Sequence, residues 1–453
     1  MEINDKRAMI LSGSLPKILI TMALPLMFNN FVQMLYSLAD TYWVGNYLGT
    51  SELAAIILVF PVLYFTLSLG MGVNIAGTAL ISRFSGAGSP AQATKVAGQL
   101  LTFALLMAVA ISLMGTLAAP WVLRMMGAQG AVYVYALQYV QIMLWELPAL
   151  FAFFVFNAIR QGQGDTYTPM VLNVSGVLLN IVLDPIAILF LGWGIRGVAA
   201  ATVFSRTLFA VYAVYSLFRQ GNGIRLRGKD LKMDSGILTQ IVRIGLPAST
   251  GQSFSAFGFI ILNAFVIGYG EGTLAAFGIG NRISMVIIMP VMGIGTALAT
   301  LVGQNLGAGQ PERARRAVRT AALGSITIMS LGGIILFLAA DLVVGAFIKN
   351  DPEVLKQSLD YTRLITLTLP LMAIFQILLG TFQGSGHTLY AMMMDMGRLW
   401  VFRIPLILLL GRWTSLGSHG VWYAMVISNA LICFMGWLMY RSGKWQQPVI
   451  RHN

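Results

Sequence analysis

The chain has 453 residues, 57% of them apolar and 10% charged, and its 29 Lys and Arg against 16 Asp and Glu give a net charge of +13. A soluble domain carries about a quarter charged residues, so this composition excludes a water-soluble globular fold and calls for apolar runs of ~20 residues that close their own backbone hydrogen bonds as helices in lipid. The positive excess lies in short segments between apolar runs, which is the pattern of inside loops and not of a nucleic-acid surface, while the lone Cys433 and the scattered His387, His419 and His452 exclude an intrachain disulfide and a Cys/His metal cluster.

Taken in chain order, apolar runs between Gly, Pro and charged breaks predict helices at 16–45, 53–82, 95–121, 132–159, 166–192 and 195–218. A second set follows at 237–268, 273–304, 316–345, 357–382, 388–411 and 419–440. The first apolar run is too long for a signal-peptide core, so the first helix is expected to stay as a signal anchor. With the N-terminus inside, the inner segments hold Lys6, Arg7, Lys17, Arg83, Lys95, Arg160, the stretch Arg219–Arg243, the run Arg313, Arg315, Arg316 and Arg319, and the tail residues Arg441, Lys444 and Arg451. The opposite loops hold Arg124, Arg196, Lys349, Lys356 and Arg412. That asymmetry predicts a multi-pass protein of the plasma (inner) membrane with both termini cytoplasmic.

The two sets are copies of one unit, because short motifs recur in the same order at a nearly constant spacing. Leu24-Pro25 recurs as Leu246-Pro247, and Leu53-Ala54-Ala55 as Leu274-Ala275-Ala276. Gly86-Ala87-Gly88 with Pro90 matches Gly307-Ala308-Gly309 with Pro311. Leu147-Pro148 matches Leu369-Pro370, Gln161-Gly162-Gln163-Gly164 matches Gln383-Gly384-Ser385-Gly386, and Gly197-Val198 with Ser205 matches Gly420-Val421 with Ser428. The expected fold is an all-α membrane protein of twelve transmembrane helices in two six-helix bundles. They are related by a pseudo-two-fold along the membrane normal, with a central cleft between them. Residues 1–219 form the N-terminal bundle, 220–235 a cytoplasmic linker and 236–453 the C-terminal bundle. The glycine motifs read as tight turns that need positive φ.

Charged side chains inside a bilayer are candidates for function. The acids are Asp40, Glu146, Asp184, Asp341 and Asp395. At 1.5 Å per residue, Asp40 lies ~8 Å, Thr202 ~10 Å and Asp184 ~12 Å below the outer breaks. Asn180 is four residues before Asp184 and Tyr36 four before Asp40, so each pair shares a helix face. Two carboxylates brought together in low dielectric make either a proton acceptor or a small-cation site, with Asn180 and Thr202 as oxygen ligands for Na⁺. In the second copy Leu262 and Leu406 stand at the positions that match Asp40 and Asp184, so the coupling site is expected in the first copy alone. Blander readings stand beside this one: a water-exposed Asp40, Asp184 as an N-cap after a break at Pro185, Glu146 satisfying backbone freed by Pro148, and Asp395 with Arg398 as an i, i+3 ion pair. Pro25 removes a backbone donor and is expected to bend the helix that carries Asp40, as a hinge. Met285, Met289 and Met292 form one stripe in the second copy, suited either to ordinary packing or to an adaptable apolar cavity wall.

Residues Gln33-Met34-Leu35-Tyr36-Ser37-Leu38-Ala39-Asp40-Thr41, with Pro25, Gly45, Leu53-Ala54-Ala55, the Gly86 and Gly307 turns, Gln161-Gly162 and Asn180-x-x-x-Asp184-Pro185, resemble the multidrug and toxic compound extrusion (MATE) family over nearly the whole chain. Acids confined to the first half resemble its DNA-damage-inducible bacterial and archaeal branch. The resemblance implies alternating-access efflux of amphipathic, often cationic organic compounds in exchange for H⁺ or Na⁺. It implies a coupling-ion site of Asp40, Asn180, Asp184 and Thr202, with Gln33, Tyr36 and Asn157 facing a substrate pocket, although the spans above place Asn157 near the inner end of its helix. No cofactor and no metal beyond Na⁺ is expected, and the partners are small amphipathic molecules and membrane lipid, with the protein a monomer and no nucleic acid. A lipid or lipid-linked-sugar flippase would line its cavity with Arg or Lys, whereas Arg206, Arg282, Arg363 and Arg403 are dispersed. A membrane-embedded enzyme would need a nucleophile with its base or a metal-ligand set, and the sequence carries neither.

Overall fold

A computed structural model describes residues 3–219, 223–348 and 351–447. Residues 220–222 of the expected linker, Lys349, Arg451 and His452 lie outside them. The described residues are helical almost throughout and contain no strand.

After a short α1 (Ile3–Ser12), the first copy runs α2 (Leu15–Tyr47), α3 (Thr50–Gly86), α4 (Pro90–Met125), α5 (Gly130–Leu144), α6 (Leu147–Gly162), α7 (Tyr167–Pro185) and α8 (Gly194–Arg219). The second runs α9 (Ser235–Ile267), α10 (Glu271–Gly307), α11 (Pro311–Leu338), α12 (Ala340–Phe347), α13 (Pro352–Thr366), α14 (Leu369–Gly384), α15 (Thr388–Met396), α16 (Ile404–Trp413) and α17 (Ser418–Arg441). Among the described residues nine helices are long and apolar enough to cross a membrane, and two bent pairs, α5–α6 at 44° and α13–α14 at 53°, pass the same test together. The remaining apolar run, α15 to α16, is one helical path through a π-helical turn at Gly397–Arg403. Large apolar side chains such as Leu117, Phe190 and Leu342 stand exposed, as a lipid-facing surface requires.

Proline placement explains the regular and the irregular points. Pro90 and Pro311 open α4 and α11, where a missing N–H costs nothing. Pro185 sits inside a helix, and α7 passes through it into a π turn at Ile186–Phe190, the kind of local adjustment that re-satisfies backbone in a membrane helix. Asp184 is therefore mid-helix and not an N-cap. Pro25 lies within α2 without interrupting it.

The glycine turns are as expected in part. Gly88 and its counterpart Gly309 have φ of +69° and +71°, a left-handed conformation open to glycine. Gly86 and Gly307 serve a different purpose: a Cβ on Gly86 would lie 2.0 Å from the Gln304 carbonyl oxygen, and one on Gly307 2.0 Å from that of Arg83. These glycines let the two copies touch backbone to backbone, in a reciprocal pair that respects the pseudo-two-fold.

The halves meet at the end that carries α1 and the last turn of α17. Gln304 donates to the Gly162 carbonyl at 2.8 Å and Thr300 to the Gln161 carbonyl at 3.2 Å. Further along the cleft, Ser68 and Ser253 share a 2.5 Å hydrogen bond and Phe65 packs on Phe257. The first helix of each copy is traded across this seam. Ile18, Leu19, Met22, Ala23 and Leu26 of α2 are buried with Leu298, Leu301 and Phe375 of the second copy, and Ile241 and Ile244 of α9 with the core of the first. α1 straps the same end: Arg7 donates to the Ser85 and Gly86 carbonyls and Lys6 pairs with Asp165, while Arg313 of α11 donates to the Ile10 and Gly13 carbonyls.

Candidate functional site

Three of the four expected coupling residues come together in hydrogen-bonded contact. Asn180 and Asp184 lie one turn apart on α7, and Asn180 Nδ2 donates to Asp184 Oδ1 at 3.1 Å and to Thr202 Oγ1 of α8 at 3.3 Å. Thr202 also donates back to the Val198 carbonyl at 3.0 Å. All three are buried, Asp184 to 1% exposure. Asp40, half-buried on α2, makes no hydrogen bond among the described residues. It interacts electrostatically with Asp184, Tyr36 and Arg206. The i, i+4 reasoning and the depth estimate thus converge on one cluster.

One acceptor there is left over. Asn180 Oδ1 is buried with no hydrogen-bond partner, although a buried carbonyl oxygen normally has one. It sits beside a carboxylate and a hydroxyl, so the donor set (two carboxylates, an amide oxygen and a hydroxyl) fits a proton or a small hard cation.

Below the cluster lies a cavity of about 380 Å³, within the size range of small-molecule pockets. Asn29, Gln33 and Tyr36 of α2, Asn157 and Gln161 of α6, and Asn173 and Asn180 of α7 line it, with Phe153, Phe154 and Phe209. Gln33, Tyr36 and Asn157 are therefore together. Asn157 is near the inner end of α6, as the spans predict, and it joins Gln33 and Tyr36 because the cavity extends down to Gln161 and Thr166 at that end. Within the cavity Gln161 donates to Asn157 at 2.7 Å and Asn173 to Asn29 at 2.6 Å.

The methionine stripe is not part of this site. Met289 is buried, Met285 and Met292 are exposed, and none of the three lines the cavity.

Sequence reasoning missed one pair. Arg206 of α8 lines the cavity, donates from Nη1 to Glu146 Oε1 at 2.7 Å and stands over the Tyr36 ring at 5.6 Å. Glu146, 2% exposed, is thus the partner of a guanidinium and not a cap for backbone freed by Pro148. An intramembrane acid and an intramembrane Arg in one copy were the available signal, since such charges pair. The expected Asp395–Arg398 ion pair is absent as a contact. Arg398 lies in the π turn, where the three-residue spacing no longer stacks side chains, and it packs over Phe375 and reaches Met372 Sδ. Asp341 pairs with Arg363 at 2.6 Å on an exposed surface.

The family profile MatE matches the chain twice, over residues 25–186 and 247–409. The chain is 27% identical to the probable multidrug resistance protein YoeA of Bacillus subtilis (strain 168), over 97% of each. It is 26% identical to the probable multidrug resistance protein NorM of Thermotoga maritima, over 96% of this chain and 94% of that protein. A solved structure described as the outward-facing conformation of a multidrug resistance MATE family transporter of the MOP superfamily superposes with a TM-score of 0.90 at 30% identity, covering 96% of this chain and 97% of that one.

Proposed function

The chain belongs to the MatE family of membrane transporters, and from that premise we propose that it is a secondary antiporter exporting amphipathic organic compounds, often cationic ones, in exchange for H⁺. One observation carries the reading. The part of α2 beyond Pro25 walls the cavity with Asn29, Gln33 and Tyr36, and one turn after Tyr36 it presents Asp40 to the buried Asn180–Asp184–Thr202 cluster. The part before Pro25 is locked in the core of the other copy. Adding or removing a proton at the carboxylates changes what holds the outer part of α2, and the hinge at Pro25 turns that change into a change of cavity shape. Load and proton then exclude each other because they need different positions of one helix, which is the differential interaction that any ligand-driven switch requires.

The unpartnered Asn180 Oδ1 favours a second reading in which Na⁺ takes the proton's place. A flippase draws less support, since the one arginine lining the cavity, Arg206, is paired with Glu146, and the buried Arg403 is held by Ser428 and Asn429.

Dye efflux from proteoliposomes, with pH and Na⁺ gradients imposed independently, is the test. Antiport by H⁺ gives efflux driven by the pH gradient alone, lost in Asp40→Asn and in Asp184→Asn. Undiminished gradient-driven efflux in both variants overturns the coupling role, and efflux driven only by Na⁺ selects the second reading.

A further inference from the structure

The second copy keeps the walls of the cavity that opens in the first, and one of its own side chains lies between them. By the repeat spacing, Met372 and Phe375 match Leu150 and Phe153 of the cavity wall, and Asp395 and Gly251 match Asn173 and Asn29. The contacts keep that register. Asn173 bonds Asn29 at 2.6 Å, and a Cβ on Gly251 would stand 3.5 Å from Asp395 Oδ2. A turn later, a Cβ on Gly176 would meet Phe209, and one on Gly397 would meet Ile432, the counterpart of Phe209. Arg398, which follows Gly397, therefore takes the place of Val177 on the cavity wall.

Arg398 is held there as a bound cation would be held. Its guanidinium stands 4.5 Å from the centroid of the Phe375 ring, and Nη1 reaches Met372 Sδ at 3.6 Å. Both partners are counterparts of wall residues. Nε is buried with no hydrogen-bond partner, and a thioether is a weak acceptor for a group with five N–H donors. Asp395 lies in the field of this cation, is 8% exposed and makes no side-chain hydrogen bond among the described residues. In the first copy the matching Asn173 is satisfied by Asn29, whereas Gly251 has no side chain and leaves room in front of the carboxylate. Ser255, in the place of Gln33, likewise has a buried hydroxyl without a partner. A carboxylate, a hydroxyl and an aromatic face are the partners that a planar cation needs. A buried charge with so few bonds is also cheaper to replace than one held on all sides.

We propose that the second copy has its own binding cavity for small aromatic amidinium or guanidinium cations, and that the Arg398 side chain fills it as a tethered ligand. The inference goes beyond the export reading, since the site lies in the other copy and is read by binding alone.

Equilibrium dialysis of radiolabelled benzamidinium against the purified full-length protein in nanodiscs counts the sites, with empty nanodiscs subtracted. Arg398→Val, which gives the second copy the first copy's residue, is expected to bind one benzamidinium more per chain than the wild-type protein. Arg398→Lys keeps a tethered cation and should bind the wild-type number. Adding Asp395→Asn to Arg398→Val should weaken the gained site about tenfold, since it removes the opposite charge. Because the readout is a difference from wild type, it holds whether or not the first copy binds this probe and whether or not anything is exported. Arg398→Gln, shorter than Arg and still a donor beside Asp395, stands in if the valine variant does not fold. Equal counts in the wild-type protein and the neutral variants, the same gain in Arg398→Lys, or a gained site indifferent to Asp395→Asn would each overturn the proposal. A wild-type site lost in Asp395→Asn alone would do so too, because the cavity would then be open with Arg398 in place.

Discussion

At equivalent points the two copies make the same joint with different chemistry. In the first, Glu146, in the break between α5 and α6, accepts a 2.7 Å bond from Arg206 of α8. In the second, Thr368 is the counterpart of Glu146. It lies in the break between α13 and α14 and accepts a 3.5 Å bond from Asn429 of α17, which is itself the counterpart of Arg206. Both joints tie a bent span to the last helix of its copy, with bends of 44° and 53°. The bend therefore belongs to the architecture and the charge does not. The acid–guanidinium pair lies alongside a cavity and a carboxylate cluster, whereas at the second joint the Arg403 guanidinium donates to the neutral Asn429 at 2.7 Å and Leu262 and Leu406 stand where the first copy has Asp40 and Asp184.

The sharpest way to break this contrast is to give the first copy the second copy's residue. Asp40→Leu should reduce pH-gradient-driven dye efflux to the level of empty liposomes while the protein remains folded, because Leu262 is accommodated, fully buried, in the equivalent helix. Efflux above background would show that the coupling site is not confined to the first copy.

The next effect is on stability. Glu146→Leu leaves Arg206 without its partner and should cost about 3 kcal/mol, read as a lower unfolding midpoint in detergent. Thr368→Val removes a long neutral bond and should cost under about 1 kcal/mol. Glu146→Thr with Arg206→Asn copies the second joint into the first and should recover most of what Glu146→Thr alone loses, since the two sites are in contact and their effects do not add. Equal losses at both joints would remove the distinction.

Where the copies are alike, they should respond alike. Gly86→Ala and Gly307→Ala each push a methyl to within 2.0 Å of a carbonyl oxygen of the other copy, an overpacking cost of roughly 1–3 kcal/mol. Each should raise thiol labelling of a Ser82→Cys probe in the seam several-fold from the terminal side, against the background of a buried Cys433. A response in only one variant would show that the seam is not symmetric.

The smallest effect concerns pH. Asp165 and its counterpart His387 occupy the same turn in the two copies. Burial opposes the Asp165 charge, but the Thr168 hydroxyl and backbone N–H and the Lys6 ammonium outweigh it and hold the carboxyl below its ordinary value. Its contribution is then fully present above about pH 4 and is lost as pH falls through the depressed folded value. Asp165→Asn should lower the unfolding midpoint slightly at pH 7, with the difference closing in acid. Burial pushes the His387 imidazole below its ordinary value, so the folded state binds fewer protons than the unfolded one. Stability should fall as pH drops below about 6.5, and His387→Gln should flatten that fall in a melting series across pH 7 to 5.

The helices and their duplication were legible because lipid imposes length and hydropathy on every span, and because turn glycines and helix-opening prolines keep their spacing in both copies. Asn180, Asp184 and Thr202 were legible because i, i+4 spacing and rise per residue survive in real helices. What escaped was set by departures from straight rods and by contacts distant in sequence. Asn157 does lie near the inner end of its helix, and what the sequence hid is that the cavity reaches down to Gln161 and Thr166 there, while the Asp395–Arg398 pair was lost to a π turn that no residue type announces. Arg206 and Glu146 belong to different spans, and their pairing is decided by how α5, α6 and α8 pack. That Ile18 to Leu26 belong to the core of the other copy is invisible in an apolar stripe, which records that a face is buried but not against what.

That trade of first helices has a consequence for how the chain is made. The stripe from Ile18 to Leu26 is synthesised first, and it finds its permanent neighbours, Leu298, Leu301 and Phe375 among them, only after more than half of the chain has left the ribosome. The first long helix is thus among the last to settle, and the nascent first copy must wait in the bilayer with one wall missing. Neither copy is a complete unit of assembly, and a gene cut at the linker should yield a stable product only when both fragments are expressed together.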